Sequence, residues 1–236
     1  LSPETEEVLA ALGEVHGAPY TIYSMAKLAD MDFAPIADSE GNELPISFAL
    51  FENRYEFSSD TETRRKAYDS FVLTLKQYKN TIAAAYSAEV KKQVTLSRLR
   101  NYQSVEQMLL EPHQVTLDMY NNQIDIIFKE LAPHMRRFAK LKKKALGIDV
   151  MKFCDLKAPL DPDFNPETTY EEASNLILES LKVMGPEYSE IIEKGFKDRW
   201  VDLADNIGKS TGAFCSSPYG SHPYILVTWQ DNMRGC

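Results

Sequence analysis

The chain reads, between residues 207 and 234, Ile207-Gly-Lys-Ser-Thr-Gly-Ala-Phe-Cys-Ser-Ser-Pro-Tyr-Gly-Ser-His-Pro-Tyr-Ile-Leu-Val-Thr-Trp-Gln-Asp-Asn-Met-Arg234. Two short apolar runs lie in this stretch, Ala213–Cys215 and Tyr224–Trp229. The second run is rich in the β-branched and aromatic residues that are typical of strands. Between the runs, Ser216–Pro223 is a cluster of turn-forming residues. The pattern predicts a β-hairpin in a chain that is otherwise mostly helical.

Two long stretches outside this hairpin have helical periodicity. Apolar residues recur every three or four positions over residues 58–101 and again over residues 113–146. In the first stretch the spacing places Tyr86 and Val90 on the apolar face. In the second stretch Pro133 predicts a break or kink, because proline removes a backbone hydrogen bond from a helix.

Local capping and turn patterns mark the shorter elements. Ser2-Pro3 and Thr169-x-x-Glu172 are both typical of helix starts. Asp38–Asn42 separates two short extended runs and predicts a second hairpin. Phe153–Leu160 is expected to be extended.

The predicted fold class is mainly α, a multi-helix domain with small β-hairpins. We expect a helical segment with a small hairpin over residues 1–57, a helical region over residues 58–206, and the second hairpin over residues 207–236. In this division the two hairpins belong to separate regions of the chain.

The amino-acid composition limits which partners and which cellular compartment can be expected for this protein. The 236 residues carry a formal net charge of −9, which argues against a nucleic-acid partner, because phosphate binding needs a basic surface. No apolar run approaches the roughly 20 residues of a membrane-spanning helix, so we expect no membrane partner. Three widely spaced cysteines predict free thiols and a cytoplasmic protein. The acidic start without Met predicts no signal peptide, and a chain that begins within a longer protein.

The segments Gly208–Ser216, His222–Leu226, Trp229 and Asn232–Arg234 together resemble oligoendopeptidase F, a family of zinc metallopeptidases that cleave short peptides. The resemblance extends upstream through most of the chain, and it includes Arg64-Arg-Lys-Ala-Tyr68. The hairpin is its most specific part.

In that family, Met-Arg is followed by a few apolar residues and then by a helix that carries His-Glu-x-x-His. The two histidines bind zinc, and the glutamate takes a proton from water. Here Met233-Arg234 is followed only by Gly235-Cys236. The resemblance therefore implies a fragment of a larger zincin-like oligopeptidase fold, which ends just before the zinc-binding helix. We expect zinc in the intact family protein, and neither zinc nor catalysis on this chain alone.

The resemblance also implies a set of substrate-binding residues: Gly212, Ala213, Phe214, Cys215, Ser216 and His222. The first five match an edge strand that lines the family's cleft, where a substrate peptide would add as one more strand. Gly212 and Ala213 suit the close approach of another backbone, because they carry little or no side chain. The alternatives are a strand with a structural role only, and a histidine that stabilises the turn rather than contacting substrate.

Other arrangements of reactive residues predict no site. The chain has four histidines, none paired at metal-binding spacing, so we predict no metal ligand and no catalytic residue. Gly208-Lys-Ser resembles the end of a phosphate-binding loop, but Leu203 stands where that motif requires glycine. The basic run 136–144 is interpreted as a solvated helix end, and Cys215 as an inert thiol.

Two functional hypotheses follow. The first is a fragment of a zinc metalloendopeptidase that cleaves short oligopeptides, with self-association through apolar surface that the rest of the protein would cover. The alternative is a stand-alone helical module that binds peptides or other partners without catalysis.

Overall fold

The computed structural model describes residues 1–164, 166–204, 206 and 209–232. Two predictions concern residues outside this range. Gly208, of the phosphate-loop-like motif, lies outside the described residues, as do Met233–Cys236, which follow the hairpin.

The prediction of a mainly α fold is confirmed, since helices occupy most of the described chain. In chain order, the helices and strands are α1 Pro3–Ala11, α2 Gly13–Met25, β1 Ile36–Ala37, β2 Glu43–Leu44, α3 Phe48–Asn53, α4 Thr61–Gln77, α5 Lys79–Leu99, α6 Val105–Leu110, α7 Leu117–Ile126, α8 Ala132–Ala145, α9 Tyr170–Leu181, α10 Pro186–Lys197, β3 Val201–Asp202, β4 Ala213–Ser216 and β5 Tyr224–Val227.

The chain divides into two compact units, each made of two separate segments. The first unit contains Leu1–Asp32 and Val72–Leu156, and the second contains Phe33–Phe71 and Lys157–Cys236. The division into residues 1–57, 58–206 and 207–236 stays a prediction.

In the first unit, the long helix expected over residues 58–101 is interrupted at Tyr78, which separates α4 from α5. Tyr78 has φ −93° and ψ 1°, and its N–H bonds to the Leu75 carbonyl three residues back. Its hydroxyl donates to the Asp30 carbonyl over 2.6 Å. This tertiary hydrogen bond stabilises the break, although no Gly or Pro stands at this point of the sequence to indicate one.

The buried face of α5 differs from the predicted one. Ala85 and Ser97 are the buried residues of this helix. Tyr86, predicted on the apolar face, is 71% exposed, and Val90 is also exposed. The prediction for these two residues is wrong, because it advanced by four residues at each step, from 78 through 82 and 86 to 90, whereas one face of a helix recurs about every 3.6 residues.

The break predicted near Pro133 is present and has an identifiable cause. Residues Ile127–Leu131 form a π-helical segment between α7 and α8, and Pro133 then lies in the first turn of α8. Proline is tolerated there because the first N–H groups of a helix have no intrahelical acceptor. At the other end of α8, Gly147 has a φ of 65°, as expected for a glycine that caps a helix.

A cluster of phenylalanines forms the core of the second unit. The Phe71 ring of α4 lies 4.3 Å from the Phe51 ring, 4.9 Å from Phe48 and 5.3 Å from Phe33, measured between centroids. Each such pair contributes about 0.5–1.5 kcal/mol beyond the burial of its area. The cluster joins α3, α4 and the segment before β1.

The predicted first hairpin is confirmed as the antiparallel pair β1–β2. Its turn is organised by Asp38, whose Oδ1 accepts from the N–H groups of Glu40 at 2.9 Å and Asn42 at 2.8 Å. The Asn42 side chain donates to Asp38 Oδ2 at 3.0 Å. These hydrogen bonds hold the pKa of the Asp38 carboxyl below its usual value, and the one from the Asn42 side chain has the largest effect.

The predicted second hairpin is also confirmed, as β4 paired antiparallel with β5. It belongs to a three-stranded sheet of order β3-β5-β4, in which β3 runs parallel to β5. The two-residue strand β3 was not predicted, because its extended form depends on this pairing with a distant strand.

The segment Phe153–Leu160 differs from its prediction. Phe153–Asp155 is a 3₁₀ turn rather than an extended segment. Asp155 is fully buried and its Oδ2 accepts from the Lys152 N–H at 2.9 Å. The side chain of Asp stabilises turns by bonding to nearby backbone, and this local bond outweighs the apolar pattern.

Over the described residues, no helix has both the length and the apolar character needed to cross a bilayer.

Candidate substrate-binding edge

The strand β4 lies at the edge of the three-stranded sheet. Its partner β5 pairs with β3 on the opposite side, and no described strand pairs with the outer side of β4. All four residues, Ala213–Ser216, are exposed to solvent. An exposed edge strand presents main-chain groups that another strand can pair with.

Hydrogen bonds to β5 determine which main-chain groups of β4 point outward. At one end of the pair, the N–H of Thr228 donates to the carbonyl of Gly212 over 3.2 Å. The N–H of Ile225 instead points toward β3 and donates to the carbonyl of Trp200 over 2.9 Å. Ile225 lies opposite Cys215, so these two residues do not form a hydrogen-bonded pair.

Hydrogen-bonded and non-hydrogen-bonded pairs alternate along an antiparallel ladder. Phe214 and Ser216 therefore direct their N–H and C=O groups toward β5, while Ala213 and Cys215 direct theirs away from it. Each of these two outward residues offers one donor and one acceptor. The outer side of β4 is therefore suited to main-chain pairing with an added strand.

Gly212 stands just before β4 with a φ of 86°. This is the left-handed region, which glycine enters without steric cost. A Cβ built at Gly212 would meet nothing within 4 Å. Within the described chain, the backbone conformation therefore gives this position its requirement for glycine, and the close approach of a substrate backbone stays a prediction.

His222 lies in the connection between β4 and β5, and it is half-buried. Its ring stacks on Trp200 with centroids 4.9 Å apart and planes 5° apart, and it lies 4.3 Å from the Tyr224 ring. Its Nδ1 lies 2.7 Å from the carbonyl oxygen of Pro223. The structure brings Gly212–Ser216 together in one edge, and it places His222 in an aromatic stack within the connection.

Trp200 and Tyr224 were not proposed as site residues. Trp200 precedes β3, so its ring reaches His222 only because β3 pairs in parallel with β5. No local pattern in the sequence predicts a pairing between segments that are so far apart. Tyr224 was assigned to a strand, but the neighbour of its ring was not predicted.

The end of the hairpin is attached to the helices of the second unit. The Trp229 ring contacts Tyr170 edge to face at 5.4 Å, and its Nε1 donates to Asp231 Oδ1 at 2.8 Å. The Gln230 side chain donates to the Asn53 carbonyl over 2.8 Å. Burial beside this cluster raises the pKa of Tyr170 above its ordinary value. These contacts hold β5, and through it β4, against the helices.

A cavity of about 700 Å³ adjoins this attachment. Its lining includes Arg54, Phe164, Trp229 and Gln230, together with Asn53. Sequence reasoning missed it, because the lining residues come from three distant segments and share no motif.

The donor set of a zinc site is absent from the described residues. Among them, no group of three or more His, Cys, Asp or Glu side chains is arranged to hold a metal ion. A catalytic zinc needs about three protein ligands and one open position. The described part of the chain therefore does not fit a catalytic zinc ion.

The family model for peptidase family M3 matches residues 55–235, which is most of the chain. The chain belongs to peptidase family M3. The model for oligopeptidase F matches residues 1–33. The resemblance to oligoendopeptidase F stated from the sequence is confirmed.

Curated relatives of this M3-family chain are oligopeptidases. Oligopeptidase PepF of Bacillus subtilis is 38% identical over 234 residues, covering 99% of this chain and 35% of the relative. Group B oligopeptidase PepB of Streptococcus agalactiae is 32% identical over 233 residues, covering 99% of this chain and 38% of the relative. The chain thus spans just over a third of the length of these proteins.

Solved structures are similar in fold. Oligoendopeptidase-F from Enterococcus faecium matches with a TM-score of 0.65 and 26% identity, over 85% of this chain and 36% of that one. A structure of PZ peptidase A with an inhibitor matches with a TM-score of 0.73 and 19% identity, over 100% of this chain and 41% of that one. The second likeness shows the fold alone.

Proposed function

We propose that this M3-family chain holds oligopeptide substrates for a peptidase reaction, and that the outer side of β4 is where the peptide binds. Membership of the family and the names of the relatives support oligopeptides as the substrate class. The observation that carries the proposal is the pair of outward-facing residues Ala213 and Cys215 on an edge strand.

Binding at this edge would use main-chain hydrogen bonds, which are the same for every peptide sequence. Such pairing tolerates varied side chains, as a peptidase of broad substrate range requires. It would also hold the peptide backbone extended, which is the conformation needed to present one peptide bond at a time. These are the contributions that the residues of this chain can make without a metal ion.

We propose that hydrolysis itself belongs to a longer polypeptide. The relatives named above are almost three times as long as the matched region, and M3 peptidases use zinc. The described residues lack a zinc donor set, so the ligands of the intact protein would come from elsewhere. The alternative of a stand-alone binding module is not supported by the comparisons. A cytoplasmic location stays a prediction from cysteine usage.

Replacement of Ala213 tests the proposal directly. Ala213→Pro removes one outward N–H and leaves the ladder to β5 intact, because proline is tolerated on strand edges that face solvent. Binding of a fluorescein-labelled octapeptide, followed by anisotropy, should weaken about two- to tenfold, the worth of one net hydrogen bond. Ala213→Val keeps the N–H and serves as the matched control. Equal binding by the wild type and Ala213→Pro would refute the proposal.

A further inference from the structure

The side chains of β4 alternate between the two faces of the sheet, and they differ in size on one of those faces. Phe214 lies directly opposite Leu226, so both side chains project from the same face. The positions two residues away on that face are Gly212 and Ser216, which have no side chain and a short one. Phe214 is therefore the one bulky side chain that this stretch presents on that face.

The Phe214 ring is available for contact. It is 53% exposed, although it belongs to a strand whose inner edge is paired. On the same face Tyr224, diagonal to it on β5, is 50% exposed. The opposite face of β4 carries only Ala213 and Cys215, whose side chains are small.

The ladder determines which peptide residue would meet this ring. In an antiparallel strand added at the outer edge, the residues opposite Ala213 and Cys215 form hydrogen-bonded pairs. The residue between them then faces Phe214 as a non-hydrogen-bonded pair, with Cα atoms about 4.5 Å apart and side chains at their closest. Diagonal neighbours at Gly212 and Ser216 leave room for a large side chain there.

We infer that Phe214 determines specificity: the peptide residue that pairs with it is selected for an apolar side chain, β-branched or aromatic, while its neighbours are not selected. This rests on the proposed function of the β4 edge. Aromatic–β-branched cross-strand pairs are among the favourable ones in sheets. An acidic side chain at that position would lose hydration against the ring without gaining a partner, so it should be disfavoured.

Paired peptides and variants test the inference. The probes are two labelled octapeptides of Ala and Ser, identical except that one carries a single Val in place of a central Ala. The wild-type chain should bind the Val peptide about two- to fivefold more tightly, as expected for one cross-strand pair. Phe214→Ala should bring the ratio of the two dissociation constants to about one. Phe214→Tyr should keep the ratio, because the ring remains.

Tyr219→Ala is the matched control, since Tyr219 is an exposed aromatic residue in the connection outside both strands. This variant should keep the wild-type ratio. Circular dichroism checks that each variant is folded. If neither peptide binds the wild type, the proposed function fails. If both bind and Phe214→Ala keeps the wild-type ratio, the inference about Phe214 is wrong while the binding edge stands.

Discussion

Gly212 shows how a single residue positions the candidate edge. Its φ of 86° directs the chain into β4, and its carbonyl accepts the hydrogen bond from Thr228. A non-glycine residue in this region clashes with its own backbone. The sequence indicates that glycine is suited to this position, but it suggested a close backbone approach as the reason. The structure adds a conformational reason, and the approach of a substrate backbone stays a prediction.

Gly212→Ala should therefore destabilise the chain by about 1–2 kcal/mol, purely through the backbone, since there is open space for the added methyl group. Urea unfolding followed by circular dichroism measures the change. Gly17→Ala is the matched control, because Gly17 lies inside α2 with equally open space and no positive φ. It should stabilise by up to ~1 kcal/mol. If both substitutions changed the free energy of unfolding in the same direction, a conformational requirement for glycine at position 212 would be contradicted.

At the scale of elements, the sequence predicts best those helices and hairpins whose capping or turn residues lie within the element or next to it. The capping box that opens α9 is present in both halves. The Thr169 hydroxyl accepts from the Glu172 N–H at 3.2 Å, and the Glu172 carboxylate accepts from the Thr169 N–H at 2.8 Å. Both hairpins were predicted from turn residues in the same way. By contrast, β3 and the break at Tyr78 depend on distant partners, so no local pattern could indicate them.

The capping box yields a prediction with a defined pH dependence. Thr169→Ala should cost about 1 kcal/mol of unfolding free energy at neutral pH. The backbone hydrogen bond from Thr169 lowers the pKa of the Glu172 carboxyl below its ordinary value. A lowered folded-state pKa gives stability that is present above the unfolded pKa and is lost as the pH falls through the folded one.

Glu172→Gln should consequently destabilise the chain at pH 7 and have little effect well below pH 4, as read from thermal unfolding at each pH. Glu171→Gln removes a neighbouring carboxylate outside the box and serves as the control. A penalty for Glu172→Gln that is the same at both pH values would show that its charge does not stabilise α9.

At the scale of the whole molecule, side chains that the sequence scatters are brought together by the fold. The four phenylalanines of the cluster, Phe71 and its three neighbours, come from three segments, and no spacing rule links them. The same holds for the stack of Trp200 and His222 beside β4. The strand and its turn could be predicted from the sequence, and the family resemblance implied an edge strand, but the order β3-β5-β4 depends on a pairing that no local pattern indicates.

The apolar stripe along α7 and α8 leads to a prediction about association. Several large apolar residues from the π-helical segment Ile127–Leu131 into α8 are exposed, among them Phe128 at 72%, Leu131 and Met135. Exposed apolar patches mark surfaces that bind partners. We propose that this chain associates with itself through the stripe.

Leu131→Lys should then weaken self-association about tenfold, because burial of a leucine side chain is worth ~1.5–3 kcal/mol. Sedimentation velocity over a range of concentrations measures the effect. Val183→Lys changes an even more exposed apolar residue outside the stripe, and it should leave association as in the wild type. If the two variants changed self-association equally, the stripe would not be the interface.

The most direct test of the binding edge is a scan of backbone N-methyl groups along one octapeptide, with the affinity of the full chain measured for each. Methylation removes one peptide N–H and leaves every side chain unchanged. Pairing with the outward groups of Ala213 and Cys215 predicts alternation: methyl groups that face β4 weaken binding, and those at the intervening positions do not. Uniform loss, or no loss at any position, would contradict the claim that β4 binds peptides as an added strand.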